Sequence, residues 1–194
     1  MLLEASAVRF WMRQIKLPEL SFQRGSWLFL AVVLLIVPFP WLAAAWTAAF
    51  VHELCHMIAL KWMGHPVAEI HIGIFGARIR TTPLPPLDEL VCALAGPFGA
   101  LLLLPFARWI PLVCLFGAAQ SFFNLIPVYP MDGGRALRSA LGLLGLGDTV
   151  FDICETVLCA VVLAMGIWAS WTLKFGMIPI VTSLCIVFPA VWKK

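Results

Sequence analysis

Two histidines and a glutamate form the most chemically informative group in this sequence, within His52-Glu53-Leu54-Cys55-His56. Residues four apart lie on one face of a helix, so His52 and His56 can bind one metal ion together. Glu53 is placed to act as general base toward a water molecule that the metal activates. This pattern of residue types predicts a zinc site that carries out hydrolysis.

The residues on both sides of this motif are almost entirely apolar, at 41–51 before it and at 57–60 after it. Ionisable groups at membrane depth are costly and usually mark a functional site. The composition agrees, because 62% of the 194 residues are hydrophobic, 12% are charged and the mean hydropathy is +0.99. Such a composition excludes a soluble domain and predicts an integral membrane protein.

A catalytic zinc ion requires a third protein ligand and an open position for water. The best candidate is Asp132, in the Pro- and Gly-rich turn of residues 129–135 that follows an apolar segment. A carboxylate at this membrane boundary could reach back toward the histidines. Five other acidic residues compete less well, because we expect them to flank helices where water solvates them: Asp88, Glu89, Asp148, Asp152 and Glu155.

Six apolar segments can carry this site through a membrane: residues 27–37, 41–60, 90–107, 109–126, 153–171 and 175–192. The expected fold class is therefore all-α, a polytopic membrane protein with about six transmembrane helices. Residues 1–26 are basic, and we expect them to lie on the cytoplasmic membrane surface. Of the 13 Lys and Arg residues, only Arg108 and Lys174 lie outside if both termini are cytoplasmic, so this orientation is predicted.

A second kind of structure is predicted between the second and third segments. Residues 67–80 alternate between apolar and other residues, with Ile70 and Ile72 on one side. Period two is typical of a strand, and Gly73 and Gly76 favour a bend, so we expect a small β-hairpin-like insert. Such an insert could pair edge to edge with an extended peptide.

Three stretches stand in a characteristic order along the chain: His52-Glu53-x-x-His56, the small-residue Gly-Pro segment 95–99, and Asn124-(x5)-Pro130-x-Asp132-Gly133. This order resembles the site-2 protease family of intramembrane zinc metalloproteases. It is most similar to the stage IV sporulation protein FB branch of that family. Many members of that branch carry a C-terminal CBS domain, and this chain ends at Lys194 without one, so nucleotide sensing is not expected.

The resemblance implies a role for each of the matching residues. His52, His56 and Asp132 would bind one zinc ion per chain, and no other cofactor is implied. Glu53 would be the catalytic base. Asn124 would be the second catalytic residue, which positions the substrate backbone or stabilises the oxyanion.

The resemblance also implies how the chain is divided and what it acts on. Residues 27–192 would form one transmembrane metalloprotease domain, with the zinc helix at 41–60, the strand insert at 67–80 and the Asp-bearing turn at 124–135. The reaction would be hydrolysis of a peptide bond in or near a transmembrane segment of a membrane protein, close to the cytoplasmic face. The expected partners are that substrate, the lipid bilayer, and a regulatory membrane protein or a second copy of the chain, but no nucleic acid. The expected location is a bacterial cytoplasmic membrane.

Other functions also fit zinc ligands in a membrane, namely a zinc-binding transporter or a proteolytically inactive regulator. A transporter more often contains inverted repeats, and the sequence contains no such repeat, while an inactive homologue is expected to lack the glutamate that is present here as Glu53. Plainer roles remain open for single residues. Asp132 could be an ordinary turn residue, Asn124 an interhelical hydrogen-bonding residue, and Arg135 and Arg138 anchors on the positive side of the membrane.

Overall fold

The structure, a computed structural model, describes residues 19–22, 33–73, 76–172 and 176–192. The helices, in chain order, are α1 Phe39–Trp62, α2 Pro86–Leu101, α3 Pro111–Asn124, α4 Asp132–Leu143, α5 Asp148–Thr172 and α6 Ile178–Trp192. A short 3-10 turn, Leu104–Phe106, follows α2. The strands are β1 Glu19–Phe22, β2 Val67–Gly73 and β3 Gly76–Thr81.

Within the described residues, three helical stretches are long and apolar enough to cross a membrane: Phe39–Trp62, Pro86–Phe106 and Asp148–Thr172. They correspond to the second, third and fifth apolar segments and indicate an integral membrane protein. The fourth segment forms the 14-residue helix α3, about 21 Å long and shorter than the hydrocarbon core of about 30 Å. The sixth forms the 15-residue helix α6. By helix length, the described part of the chain therefore has three spans, where the sequence predicts six. Most of the first apolar segment, 27–37, lies outside the described residues.

Prolines set the starts of three of the helices around the site. α1, α2 and α3 each have a proline in the first two positions, where the fixed φ suits a helix and the missing N–H costs nothing. α1 ends at Trp62, and Gly64 then adopts a φ of 80°, which turns the chain toward β2. Asp88 and Glu89 occupy the first turn of α2, where carboxylates interact favourably with the helix dipole.

The three strands form one sheet in the order β1-β2-β3. β2 and β3 run antiparallel, with Ile70 opposite Ile79, in the segment where the sequence pattern predicts strands. β1 pairs in parallel with β2, which the sequence does not anticipate because four residues are too few to establish an alternation. Since both edges of β2 are paired, an added peptide strand can pair only with the outer edge of β1 or of β3.

Helix α1 packs against α2 and α3, and α2 also packs against α3 and α4. Small buried residues, including Ala48 on α1 and Ala93 and Ala100 on α2, allow these helices to approach closely. α5 and α6 pack against each other. They contribute to a separate apolar cluster made of Val128, Cys159, Ile186, Val187 and Ala190. α2 therefore lies between the helix that carries the two histidines and the helix that begins with Asp132.

Candidate metal centre

Three possible ligand atoms meet at one point: Nε2 of His52, Nε2 of His56 and Oδ2 of Asp132. The two nitrogens lie 3.2 Å apart, and Oδ2 lies 3.1 Å from His52 and 3.2 Å from His56. In a tetrahedral site with bonds of 2.0–2.1 Å, neighbouring ligand atoms lie about 3.3 Å apart. The three residues predicted as ligands are thus at the separations that one zinc ion requires.

The site is buried on the α2-facing side of α1. His52 is 1% exposed, His56 4% and Asp132 8%. His56 lies six residues and His52 ten residues before the end of α1 at Trp62, which corresponds to about 9 Å and 15 Å along the helix axis. The centre therefore lies inside the apolar part of α1, nearer to the end that carries Lys61.

Helix α2 orients the His56 ring. Nδ1 of His56 donates a hydrogen bond to the carbonyl oxygen of Cys92, at 2.7 Å. A carbonyl only accepts, so Nδ1 carries a proton, and the Nε2 of a neutral ring keeps its lone pair for a metal. Gly96, one turn later, lies against the same ring, because a Cβ there would be 2.6 Å from Cε1 and 2.8 Å from Cδ2.

The donor set fits a zinc ion. When Nδ1 of His56 carries the ring proton, the lone pair of its Nε2 points at Oδ2 of Asp132, which is also an acceptor. Two acceptors repel each other unless a cation, either a proton or a metal ion, lies between them. Two imidazoles and one carboxylate are a usual set for catalytic zinc, which keeps one position open. Nδ1 of His52 is buried and has no hydrogen-bond partner among the described residues.

The turn between α3 and α4 brings Asp132 to the histidines. Gly133 and Gly134, at the start of α4, lie directly against the backbone of this connection between α3 and α4. A Cβ at Gly133 would lie 2.6 Å from the carbonyl oxygen of Ile126, and one at Gly134 would lie 2.7 Å from that of Val128. Backbone atoms cannot move aside as side-chain ends do, so two glycines are required directly after Asp132.

Glu155, on α5, holds the same turn in place. Its Oε1 accepts a hydrogen bond from the backbone N–H of Tyr129, at 2.9 Å. The expectation that water solvates Glu155 is wrong, because the residue is only 6% exposed. Burying a carboxylate is costly unless it is hydrogen-bonded, so this contact ties α5 to the turn that precedes Asp132.

Arg135 lies beside the outer oxygen of Asp132. Its Nη1 donates to Oδ1 of Asp132 at 3.2 Å, and its Nε donates to Oε1 of Glu89 at 2.8 Å. Burial lowers the pKa of Arg135, but its surroundings, chiefly the Glu89 carboxylate and then Asp132, raise it by more, and the guanidinium stays charged. Burial raises the pKa of the Asp132 carboxyl, but His52 and His56 lower it by more when their Nε2 atoms carry protons and donate to the carboxylate.

Of the two predicted catalytic residues, Asn124 contacts a ligand directly. Nδ2 of Asn124, the last residue of α3, is 3.2 Å from Nε2 of His52. Glu53 directly follows His52 on α1 and is partly buried. Hydrogen-bond distances therefore bring together four of the five predicted site residues, His52, His56, Asp132 and Asn124, and Glu53 adjoins them along the helix.

Two of the remaining acidic candidates pair with other residues. Asp88 pairs with His65 at 2.7 Å, and Asp148 pairs with Arg138 at 3.0 Å. Within the described part of the chain, the group of His52, His56 and Asp132 is the one suited to holding a metal ion.

Sequence reasoning missed the contacts of Glu89, Arg135 and Glu155. The available signal was an arginine three residues after Asp132, one helical turn away.

Comparison with known proteins gives two relatives by sequence, while no family model matches the chain. A protein of Synechocystis sp. named as a zinc metalloprotease is 30% identical over 122 residues, covering 52% of this chain and 32% of the relative. A zinc metalloprotease of Methanocaldococcus jannaschii is 30% identical over 104 residues, covering 46% of this chain and 31% of the relative. The matches thus span about a third of the length of these curated relatives.

A solved structure has the same arrangement of elements. The site-2 protease from Methanocaldococcus jannaschii superposes with a TM-score of 0.63, covering 89% of this chain and 89% of that chain, at 23% sequence identity. The identity is low, so the similarity concerns the architecture. The chain therefore has the fold of a site-2 protease.

Proposed function

We propose that this protein is an intramembrane zinc metalloprotease that hydrolyses a peptide bond in or near a transmembrane segment of another membrane protein. The observation that carries the proposal is the convergence of two imidazole nitrogens and one carboxylate oxygen on the buried face of the 24-residue apolar helix α1. The relatives named zinc metalloproteases and the fold shared with a site-2 protease support it.

In this proposal His52, His56 and Asp132 hold one zinc ion per chain. A bound zinc ion supplies a Lewis acid that polarises the substrate carbonyl and lowers the pKa of water to near neutrality. The Glu53 carboxylate accepts the proton of the attacking water and then gives it to the nitrogen of the leaving amine. The surrounding helices keep bulk water from the reacting groups.

Asn124 has two roles that follow one another. Its Nδ2 is 3.2 Å from Nε2 of His52, close enough to donate a hydrogen bond to that nitrogen. When the lone pair of Nε2 is used as a metal ligand, it no longer accepts this hydrogen bond. The amide is then free to donate to the substrate carbonyl, on which negative charge develops.

We further propose an orientation with both termini in the cytoplasm of a bacterial cell and a site near the cytoplasmic face. This orientation requires an even number of crossings, so α3, α6 and the apolar segment 27–37 would have to cross the membrane in addition to the three long helical stretches. The excess of basic residues on that side supports the orientation. The short distance from the centre to the Lys61 end of α1 supports the depth. The place within the family, closest to the stage IV sporulation protein FB branch, is proposed on the order of motifs alone.

The substrate must be unwound before cleavage, because the hydrogen bonds of a helix shield its peptide bonds. We propose that the unwound segment pairs with the outer edge of β3, since β2 has no unpaired edge and β3 is the other strand of the insert at 67–80. The hairpin begins at Val67, soon after α1 ends at Trp62, which keeps it near the cytoplasmic end of the zinc helix. Main-chain pairing would replace the hydrogen bonds that the substrate loses.

The test compares wild type with Glu53→Gln. Membranes from cells that express each form are analysed by mass spectrometry for new peptide termini within transmembrane segments, and zinc content is measured in the purified proteins. Wild type should generate such termini and Glu53→Gln should not, although both hold zinc. Asp152→Asn, which makes the same acid-to-amide change at an exposed site on α5, is the matched control and should behave as wild type. The same termini in cells with wild type and with Glu53→Gln would refute the proposal and favour a zinc-binding transporter or regulator.

A further inference from the structure

Asp132 is the ligand that does not belong to α1, so its position depends on contacts between separate elements. We propose that Arg135 and Glu89 are positioning residues for the metal, and that α2 acts through them on Asp132 just as it acts directly on His56. The inference rests on the proposed zinc site and assigns no ligand to α2 itself. It concerns how firmly the zinc ion is held.

The two carboxylate oxygens of Asp132 have different partners. Oδ2 faces His52 and His56, whereas Oδ1 accepts a hydrogen bond from Nη1 of Arg135 at 3.2 Å. Without Arg135, rotation of the carboxyl group would exchange or displace the two oxygens at little cost. With the guanidinium in place, rotation breaks a charge-assisted hydrogen bond, so Oδ2 stays directed at the histidines.

Arg135 is in turn held by Glu89. The Arg135 Nε donates to Oε1 of Glu89 at 2.8 Å, with the two side chains 29% and 26% exposed. Arg135 is in the first turn of α4 and Glu89 is in the first turn of α2. One guanidinium thus joins the two carboxylates and removes the repulsion between them. Lysine lacks the planar fork that allows both contacts at once.

One face of α2 makes all these contacts. Glu89, Cys92 and Gly96 are spaced by three and four residues and therefore lie on the same side of the helix. Glu89 holds Arg135, the Cys92 carbonyl orients His56, and Gly96 lies against the His56 ring. Outer partners of this kind set the orientation of metal ligands, and losing one usually lowers metal affinity about 10- to 100-fold.

A matched control lies one turn further along α4. Arg138 also forms an ion pair, with Asp148 at 3.0 Å, but the two side chains are 52% and 74% exposed. In the Arg135–Glu89 pair, Arg135 also donates to the ligand Asp132, whereas the hydrogen bonds of Arg138 go to Asp148 and to none of the three ligands. Replacing Arg138 removes the same charge from the same helix without touching Asp132.

The experiment measures zinc affinity of the purified full chain by competition with a chelator, for wild type, Arg135→Gln, Glu89→Gln, the double variant and Arg138→Gln. Arg135→Gln should bind zinc about 10- to 100-fold more weakly, and Glu89→Gln should show a smaller loss. Because Glu89 acts through Arg135, the double variant should be no weaker than Arg135→Gln. Arg138→Gln should match wild type, and Arg135→Lys should recover part of the affinity.

A second readout separates positioning from general destabilisation. The visible spectrum of cobalt-loaded protein reports ligand geometry, so it should change in Arg135→Gln and stay unchanged in Arg138→Gln. If Arg135→Gln does not fold, Glu89→Gln and Arg135→Lys carry the test. Wild-type affinity and spectrum in Arg135→Gln, with zinc bound tightly by wild type, would overturn this inference alone. Absence of zinc binding in wild type would overturn the proposed function as well.

Discussion

Gly96 is the position at which one added methyl group should act directly on a metal ligand. In Gly96→Ala the new Cβ would lie 2.6 Å from Cε1 and 2.8 Å from Cδ2 of His56, and closer still to Nε2. Favourable carbon–carbon contacts are about 3.5–4.0 Å, so the ring must move by about 1 Å. The ring cannot move away freely, because its Nδ1 donates a hydrogen bond to the carbonyl of Cys92, which lies on α2 as Gly96 does, at 2.7 Å.

The expected effect follows from that displacement. A metal or catalytic group must be held within about 0.5 Å of its productive position, and a misplacement of about 1 Å can cost about 100-fold in rate. We therefore expect zinc affinity to fall about 10- to 100-fold, as it does when the orientation of a ligand is lost. Overpacking should also lower the free energy of unfolding, by about 1–3 kcal/mol.

Gly99→Ala is the matched control, because it adds the same group to the same helix. Its Cβ would lie 2.6 Å from Cβ of Cys55 and would also meet Sγ, so a comparable packing cost falls on a residue that is not a ligand. The assay is chelator competition for zinc affinity, together with thermal unfolding of the zinc-free proteins. Both variants should unfold at lower temperature, but only Gly96→Ala should lose zinc affinity. Wild-type affinity in Gly96→Ala, or an equal loss in Gly99→Ala, would refute the reasoning.

Three further predictions concern the turn, the metal and the sheet. Glu155→Ala removes the acceptor of the hydrogen bond that the Tyr129 N–H donates and should lower the free energy of unfolding by about 1–3 kcal/mol. Glu155→Gln keeps an acceptor and should lower it less in thermal unfolding; equal losses would count against this contact. A chelator should lower the unfolding temperature of wild type but not of His52→Ala, because a ligand that binds only the folded state stabilises it; an equal shift in both would mean that the metal binds elsewhere. Consecutive N–H groups of β3 point to opposite edges of the strand, so only one of Arg78→Pro and Ile79→Pro removes an N–H from the outer edge. That variant should cleave substrate less but still bind zinc. Full cleavage by both variants would exclude substrate pairing at this edge.

Part of this site was predictable because it depends on local geometry. Residues four apart share a helix face in any fold, so His52 and His56 could be paired from spacing alone. The alternation in residues 67–80 likewise indicates strands without knowledge of their surroundings. Asp132 is different, since its contact with His56 spans 76 positions. From the residues alone it could be preferred over other acids, but its distance from the histidines depends on how α2 and α4 pack.

The features that could not be predicted arise from contacts between distant parts of the chain. Glu155 resembles a solvated acid near the start of a helix, and only the turn packed over it makes it a buried hydrogen-bond acceptor. Glu89 and Arg135 are 46 positions apart, and each alone is an ordinary charge at a membrane boundary. The parallel strand β1 requires β2 as its partner, about 50 positions later. Local patterns carry no information about any of these pairings.

The central claim is that His52, His56 and Asp132 hold one zinc ion. The most direct test is the zinc content, by mass spectrometry, of purified wild type and Asp132→Ala, with Asp148→Ala as a control that removes an exposed carboxylate from the α5 N-terminus. Wild type and Asp148→Ala should each contain about one zinc ion per chain, as expected for a site with three protein ligands, and Asp132→Ala should lose most of it. Wild type without zinc, or Asp132→Ala with a full complement, would contradict the account.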